Sequence, residues 1–197
     1  MELETQSYRL RRLDAGSDVA PLRRWLADPA FAAALNLSPR DYPVEDVRRY
    51  LASFDGTSAI IIGVADPTGA AVAITTFDVN ARHRTASWAF VVGEKPHRHE
   101  AAVLEISVAA IEWAYAACRL EKISARVAAP RLPLLRILDG LGIPREGHLR
   151  SEILSADGQK RHDEVIFGLL KAEWPAVRER ANARVAALRG ATGGRRV

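Results

Sequence analysis

The chain has 197 residues, 48% of them hydrophobic, and 28 basic against 24 acidic side chains give a formal charge of +4. That supports one substantial core and leaves no room for a second full domain, and charges this evenly interspersed argue against DNA as a partner. The single Cys118 excludes an internal disulfide and a cysteine metal cluster, while the lack of an 18-residue apolar run and the acidic start Met1-Glu2-Leu3-Glu4 predict a cytoplasmic protein with no membrane partner.

Residues Tyr8 to Leu13 alternate as an opening strand, after which Ser17 or Asp18 caps a helix carrying Leu22, Trp25 and Leu26 on one face. Asp28-Pro29 ends that helix. A second amphipathic segment follows Pro43, with Val44, Val47, Tyr50, Leu51 and Phe54 at helical spacing. Two β-rich runs, Ala59 to Ala65 and Ala71 to Phe77, flank the turn Asp66-Pro67-Thr68-Gly69, and a third runs from Thr85 to Val92. The longest helix spans roughly Glu100 to Cys118 and is apolar on nearly every side, so it belongs at the centre, with Cys118 as a buried inert thiol. A strand at Lys122 to Val127, a short helix at Leu132 to Leu141, a hairpin from His148 to Leu154 and Glu164 to Leu170, and a helix from Glu173 to Leu188 complete the chain. The expected class is α/β (α+β): a mixed, mostly antiparallel sheet with helices on both faces and a splayed centre, forming a single domain over 1–190 before a flexible tail at 191–197.

Several stretches then carry a resemblance. Leu10-Arg11-Arg12-Leu13 with the segment Leu22 to Pro29 at the front, and Leu141-Gly142, the segment Glu146 to Arg150, Asp157-Gly158, His162-Asp163 and the segment Gly168 to Trp174 at the back, resemble the GNAT superfamily over about residues 8 to 174. The likeness is greatest to the branch that acetylates the N-terminal amine of ribosomal proteins and its relatives acting on small amines. It implies an N-acyltransferase that moves an acyl group, most simply acetyl, from acetyl-CoA or another acyl-CoA to a small-molecule or peptide amine. A homodimer is implied by the same analogy.

The donor turn departs from that pattern. Aligned on Glu105, Arg98 keeps the basic position, while His99, Ala101 and Val103 stand where the family has glycine or another small residue. Arg131 replaces an asparagine, Leu134 a serine and Ile143 a phenylalanine. The resemblance places the donor at Val91, Val92, Arg98, His99, Ala101, Ala102, Val103 and Arg131. An alanine held at positive φ costs about 1 to 2 kcal/mol, and a lost charge-assisted amide contact roughly 1.5 to 3 more. Donor affinity then falls on the order of a hundredfold to a few thousandfold. The segment His97-Arg98-His99 reads as a solvated loop, as a phosphate clamp made of side chains, or as a turn that no longer meets CoA.

Acyl transfer to an amine needs a group to take the amine's proton and a donor for the departing thiolate. The candidates are Asp78 and His83 beside the fourth strand, Ser87 within it, and Glu105 on the central helix. Glu146, His148 and Asp163 serve either chemistry or the closing hairpin. The scattered histidines supply no metal site. Two alternatives stand beside the acyl-CoA reading: the same fold fed by a carrier-protein thioester or an aminoacyl-tRNA, and a catalytically silent binding module.

Overall fold

The computed structural model describes residues 1–193, with side chains placed through Ala191. Eight strands form one sheet in the order β1-β2-β3-β4-β5-β6-β8-β7. They are β1 (Glu2–Glu4), β2 (Arg9–Arg12), β3 (Ala59–Ala65), β4 (Ala71–Asn80), β5 (Thr85–Val92), β6 (Lys122–Ala128), β7 (Arg145–Leu154) and β8 (Arg161–Leu170). The helices are α1 (Ala20–Ala27), α2 (Pro29–Ala34), α3 (Val44–Ala52), α4 (Glu100–Ala117), α5 (Leu132–Gly140) and α6 (Trp174–Gly193). Every strand pair is antiparallel except β5 with β6.

Alternation within the strands divides the core between two faces. Leu10, Ile60, Ile62, Phe77 and Trp88 turn toward α4 and its neighbours α5 and α6, where Ile106, Ala110 and Leu138 meet them. Ile61, Ile74 and Val91 turn the other way, toward Leu22, Trp25, Phe31 and Leu51 of α1 to α3. The helices therefore cover both faces, as the sequence predicts.

Local chemistry explains the elements that periodicity misses. Asp28-Pro29 does end α1, yet the Asp28 carboxylate accepts the amides of Ala30 and Phe31 and so starts α2 at once. Val19, rather than Ser17 or Asp18, occupies the N-cap of α1, although Asp18 still accepts the Ala20 amide at 2.9 Å. Strand β4 continues three residues past Phe77 because Asp78, Val79 and Asn80 pair with β5. The last helix runs on to Gly193, and residues 194–197 of the expected tail lie outside the described residues.

Gly93, directly after β5, decides how that strand meets α1. A Cβ there would lie 2.1 Å from the Trp25 ring, so only glycine lets the indole close over the strand's end.

Candidate functional site

The parallel pair β5 and β6 is matched only from Thr85–Lys122 to Trp88–Ala125. Beyond that rung each strand stays with its antiparallel partner, β5 with β4 as far as Val92–Ala73 and β6 with β8 as far as Ala128–Glu164. The two halves of the sheet diverge, and among the described residues the β6-facing backbone groups of β5 from Ala89 to Val92 have no strand partner. Unpaired backbone donors and acceptors facing a cleft are suited to an extended ligand.

Trp88 marks the vertex of the splay. Its indole N–H donates to Thr75 Oγ1 at 2.7 Å, and the Thr75 hydroxyl donates to the Ala89 carbonyl at 2.9 Å. The anchor is buried, with Thr75 1% exposed.

A cleft of about 430 Å³ opens on the α2 side of the splay. Its floor is β5 from Trp88 to Val91 and β6 from Ala125 to Ala128, and Arg131, Leu134 and Leu138 of the α5 region form a wall. Its roof is a clasp: Asn36 Nδ2 donates to the Leu154 carbonyl at 2.6 Å, and Ser38 Oγ to the Ala156 carbonyl at 3.2 Å. Asn36 reaches this position in the left-handed region, with φ 55°, a conformation asparagine tolerates better than most residues.

Three polar groups give the cleft its chemistry. Glu164, with only 10% of its side chain exposed, accepts from Arg126 Nε at 2.6 Å, and the same guanidinium reaches Glu152 at 3.2 Å. His162 lines the wall two residues before Glu164. Arg131 precedes α5, and among the described residues its guanidinium forms no hydrogen bond or ion pair. Burial lowers its pKa from the usual arginine value.

Trp88, Leu134 and Leu138 also line a second opening on the other side of the splay, between α4 and α5. That crevice holds only about 20 Å³ and is walled by apolar groups such as Val103, Ile137 and Leu141. The two openings meet at the shared residues Trp88, Leu134 and Leu138 and are together called the slot, broad toward α2 and narrow toward α4, where Val103 is part of the lining. A groove of about 820 Å³ along β2 to β4 shares no lining residue with the slot, so its size does not connect it to the splay.

The residues singled out from the sequence separate into groups. Val91 and Arg131 line the cleft, and Val103 lines the crevice behind it. Val92 ends β5, and its carbonyl accepts from Arg98 Nε at 3.2 Å, while Arg98 Nη2 donates to the Gly93 carbonyl at 2.7 Å. His99 is the N-cap of α4, and its Nδ1 accepts the Ala102 amide at 3.2 Å. Ala101 lies in the first turn of α4 and is absent from the residues with positive φ, so the strain expected of an alanine there does not arise. The amides of Glu100 and Ala101 have no partner among the described residues and remain the open donors of that helix end. Glu100 itself pairs bidentately with Arg184 of α6, at 2.9 and 3.2 Å.

Of the four groups considered for proton transfer, none lines the cleft. Asp78 and Ser87 face each other across β4 and β5, with Ser124 next in the row, just before the splay begins. His83 is exposed in the β4–β5 turn. Glu105 is turned toward the N-terminal segment, accepting the Ser7 amide at 2.8 Å and pairing with Arg189. His148 and Asp163, 2.9 Å apart, organise the closing hairpin, whose Ser151 amide donates to the same carboxylate. Sequence reasoning gave Glu164, His162 and Asn36 no place in the site. The first two alternate along β8 and share the cleft face, a signal that becomes readable once the strand is known to start at Arg161 rather than Glu164.

A family model described as an acetyltransferase (GNAT) domain matches residues 8–143. No curated protein matches the chain significantly. Among solved structures, the spermidine N-acetyltransferase from Vibrio cholerae in complex with CoA and spermine superposes with a TM-score of 0.76 at 16% identity, covering 86% of this chain and 99% of its own. A GNAT-family acetyltransferase from Bacillus anthracis gives a TM-score of 0.72 at 17% identity, covering 88% of this chain and all of its own.

Proposed function

The chain belongs to the GNAT acetyltransferase family and is an N-acyltransferase, and from that premise we propose that it transfers an acyl group from a CoA thioester to a primary amine of a small molecule or peptide N-terminus within the β5–β6 cleft. The observation that carries this reading is the end of strand pairing at Trp88–Ala125, which leaves a backbone edge and a cleft of about 430 Å³ side by side. An acyl-CoA lying along that edge supplies an activated carbonyl and a thiolate leaving group.

The chain's own groups account for the rest. The edge of β5 that β6 leaves uncovered, from Ala89 to Val91, holds an amide-bearing arm in the manner of an added strand. The open amides of Glu100 and Ala101 at the start of α4 meet phosphate, aided by the positive end of the helix dipole. Arg98 is committed to Val92 and Gly93 and shapes the turn. Glu164 and His162, the only carboxylate and imidazole lining the cleft among the described residues, carry the proton of the incoming amine to solvent. Arg126 holds the Glu164 carboxylate in place through the 2.6 Å hydrogen bond from Nε.

The narrow crevice and the amide already taken by His99 support a second reading, in which the acyl group arrives on a carrier with a slimmer or less charged arm than CoA. Thermal denaturation with acetyl-CoA separates the two. A ligand at a hundred times its dissociation constant adds about 2.7 kcal/mol, which for a chain of this length raises melting by about 5 to 10 °C. That shift, together with amine-dependent release of free thiol, is the expected result. No shift at millimolar donor, alongside one from a carrier-protein thioester, would replace the first reading with the second.

A further inference from the structure

We propose that Arg131 selects an acyl chain that ends in a carboxylate, so that the preferred donor is a short dicarboxylic acyl thioester rather than an acetyl thioester. The inference rests on the acyl-CoA reading and deepens it. Arg131 lines the cleft yet makes no hydrogen bond or ion pair among the described residues. Arg126, across the same cleft, is bound to both Glu164 and Glu152. A half-buried guanidinium has lost part of its hydration and gains most from a ligand that returns a charge-assisted, bidentate contact. Burial lowers the pKa of this guanidinium, a group that proteins keep as a cation.

Position favours the acyl chain over the other anions of a donor. The phosphate end belongs at the start of α4, and none of residues 98–103 lines the cleft that Arg131 faces. Arg131 instead shares its wall with Leu134, one turn along α5, which lines both openings of the slot. This is the wall a donor arm passes before its carbonyl meets an amine in the broad cleft. The acceptor enters beneath the clasp formed by α2 and the β7–β8 hairpin, beside Glu164 and His162. The transfer balances as it would for acetyl: the C–N bond forms as the C–S bond breaks, the amine proton leaves through Glu164 or His162, and the thiolate takes a proton from water. The distal carboxylate remains ionised against Arg131 throughout.

The test compares succinyl-CoA, acetyl-CoA and CoA itself on the wild type, Arg131→Asn and Arg131→Lys, by thermal shift and by kcat/KM with a common amine panel. Succinyl-CoA is expected to be the better donor for the wild type. Arg131→Asn should lower the succinyl-to-acetyl ratio about tenfold to a hundredfold, with partial recovery in Arg131→Lys. An unchanged ratio overturns the proposal. So does an equal loss for all three ligands, which would make Arg131 a phosphate contact. If the wild type answers to none of the three, the acyl-CoA reading itself falls, and the proposal with it.

Discussion

Arg98 and Asp28 face each other at 3.6 Å, joining the turn ahead of α4 to the cap of α2. The same guanidinium holds the carbonyls of Val92 and Gly93, so one side chain ties the end of β5, the start of α4 and the first helical layer together. Arg98→Ala should cost about 1 to 3 kcal/mol and lower melting by roughly 3 to 10 °C. Lysine should not rescue it, because an ammonium cannot bridge two carbonyls in that fork. The acetyl-CoA-induced shift should survive in the variant; its disappearance would show that Arg98 touches phosphate.

Ala101→Gly tests what the missing glycine means. Ala101 is helical and without positive φ, so glycine relieves no strain and instead weakens the first turn of α4 by about 0.5 to 1 kcal/mol. A melting loss of roughly 1 to 4 °C with no gain in acetyl-CoA affinity by calorimetry is expected. A tenfold gain would mean that the alanine methyl itself fends off the donor.

The mixed, mostly antiparallel sheet and most elements follow from alternation and turn chemistry, and the strands from Ala59 to Val92 begin and end as their residues suggest, apart from the tail of β4. Helix α2 is invisible to periodicity because six residues give less than two turns, and its start depends on a carboxylate that also closes the preceding helix. The splay itself is hinted at only by family likeness. It arises because β5 and β6 each keep a stronger antiparallel neighbour, a preference that no local pattern encodes. The cleft lining is hidden for a related reason: Asp78, Ser87 and Glu164 all lie on the cleft face of the sheet, and the divergence of the strands leaves Glu164, not the other two, bordering open space.

Glu105 is a brace between the ends of the chain, accepting the Ser7 amide and pairing with Arg189 while its charge, after burial, helps to raise the pKa of the Tyr8 phenol. Glu105→Gln should destabilise the fold by about 1 to 3 kcal/mol. Turnover per folded molecule, measured well below the melting point, should match the wild type. A hundredfold fall in kcat with unchanged melting would instead make Glu105 part of the chemistry.

Thr75→Val removes the acceptor for the Trp88 indole at the vertex of the splay. The shapes are nearly equal, so the cost is that of a buried N–H without a partner, about 1 to 3 kcal/mol. Urea denaturation should report that loss, and near-ultraviolet dichroism should show a loosened indole. Full stability would mean that Trp88 finds another acceptor and that the vertex does not depend on Thr75.

Acid should weaken the junction of α1 with the end of β5. The Trp25 indole donates to Glu94 at 2.8 Å, Arg24 pairs with the same oxygen, and these two contacts, the indole first, hold the Glu94 carboxyl below its usual 4.5. A folded-state pKa below the unfolded one contributes stability above the unfolded value, and that contribution disappears as pH falls through the folded value. Melting should decline between roughly pH 5 and 2, and Glu94→Gln, starting lower at pH 7, should show a shallower decline. Parallel curves for the two proteins would contradict the linkage.

The clasp from Asn36 and Ser38 to Leu154 and Ala156 joins segments separated by 118 residues of chain. The doorway for an amine therefore belongs to neither segment alone. Lengthening the hairpin tip, or exchanging the α2 end for that of a relative, leaves one jamb without its counterpart. Any change of acceptor has to be written into both stretches at once.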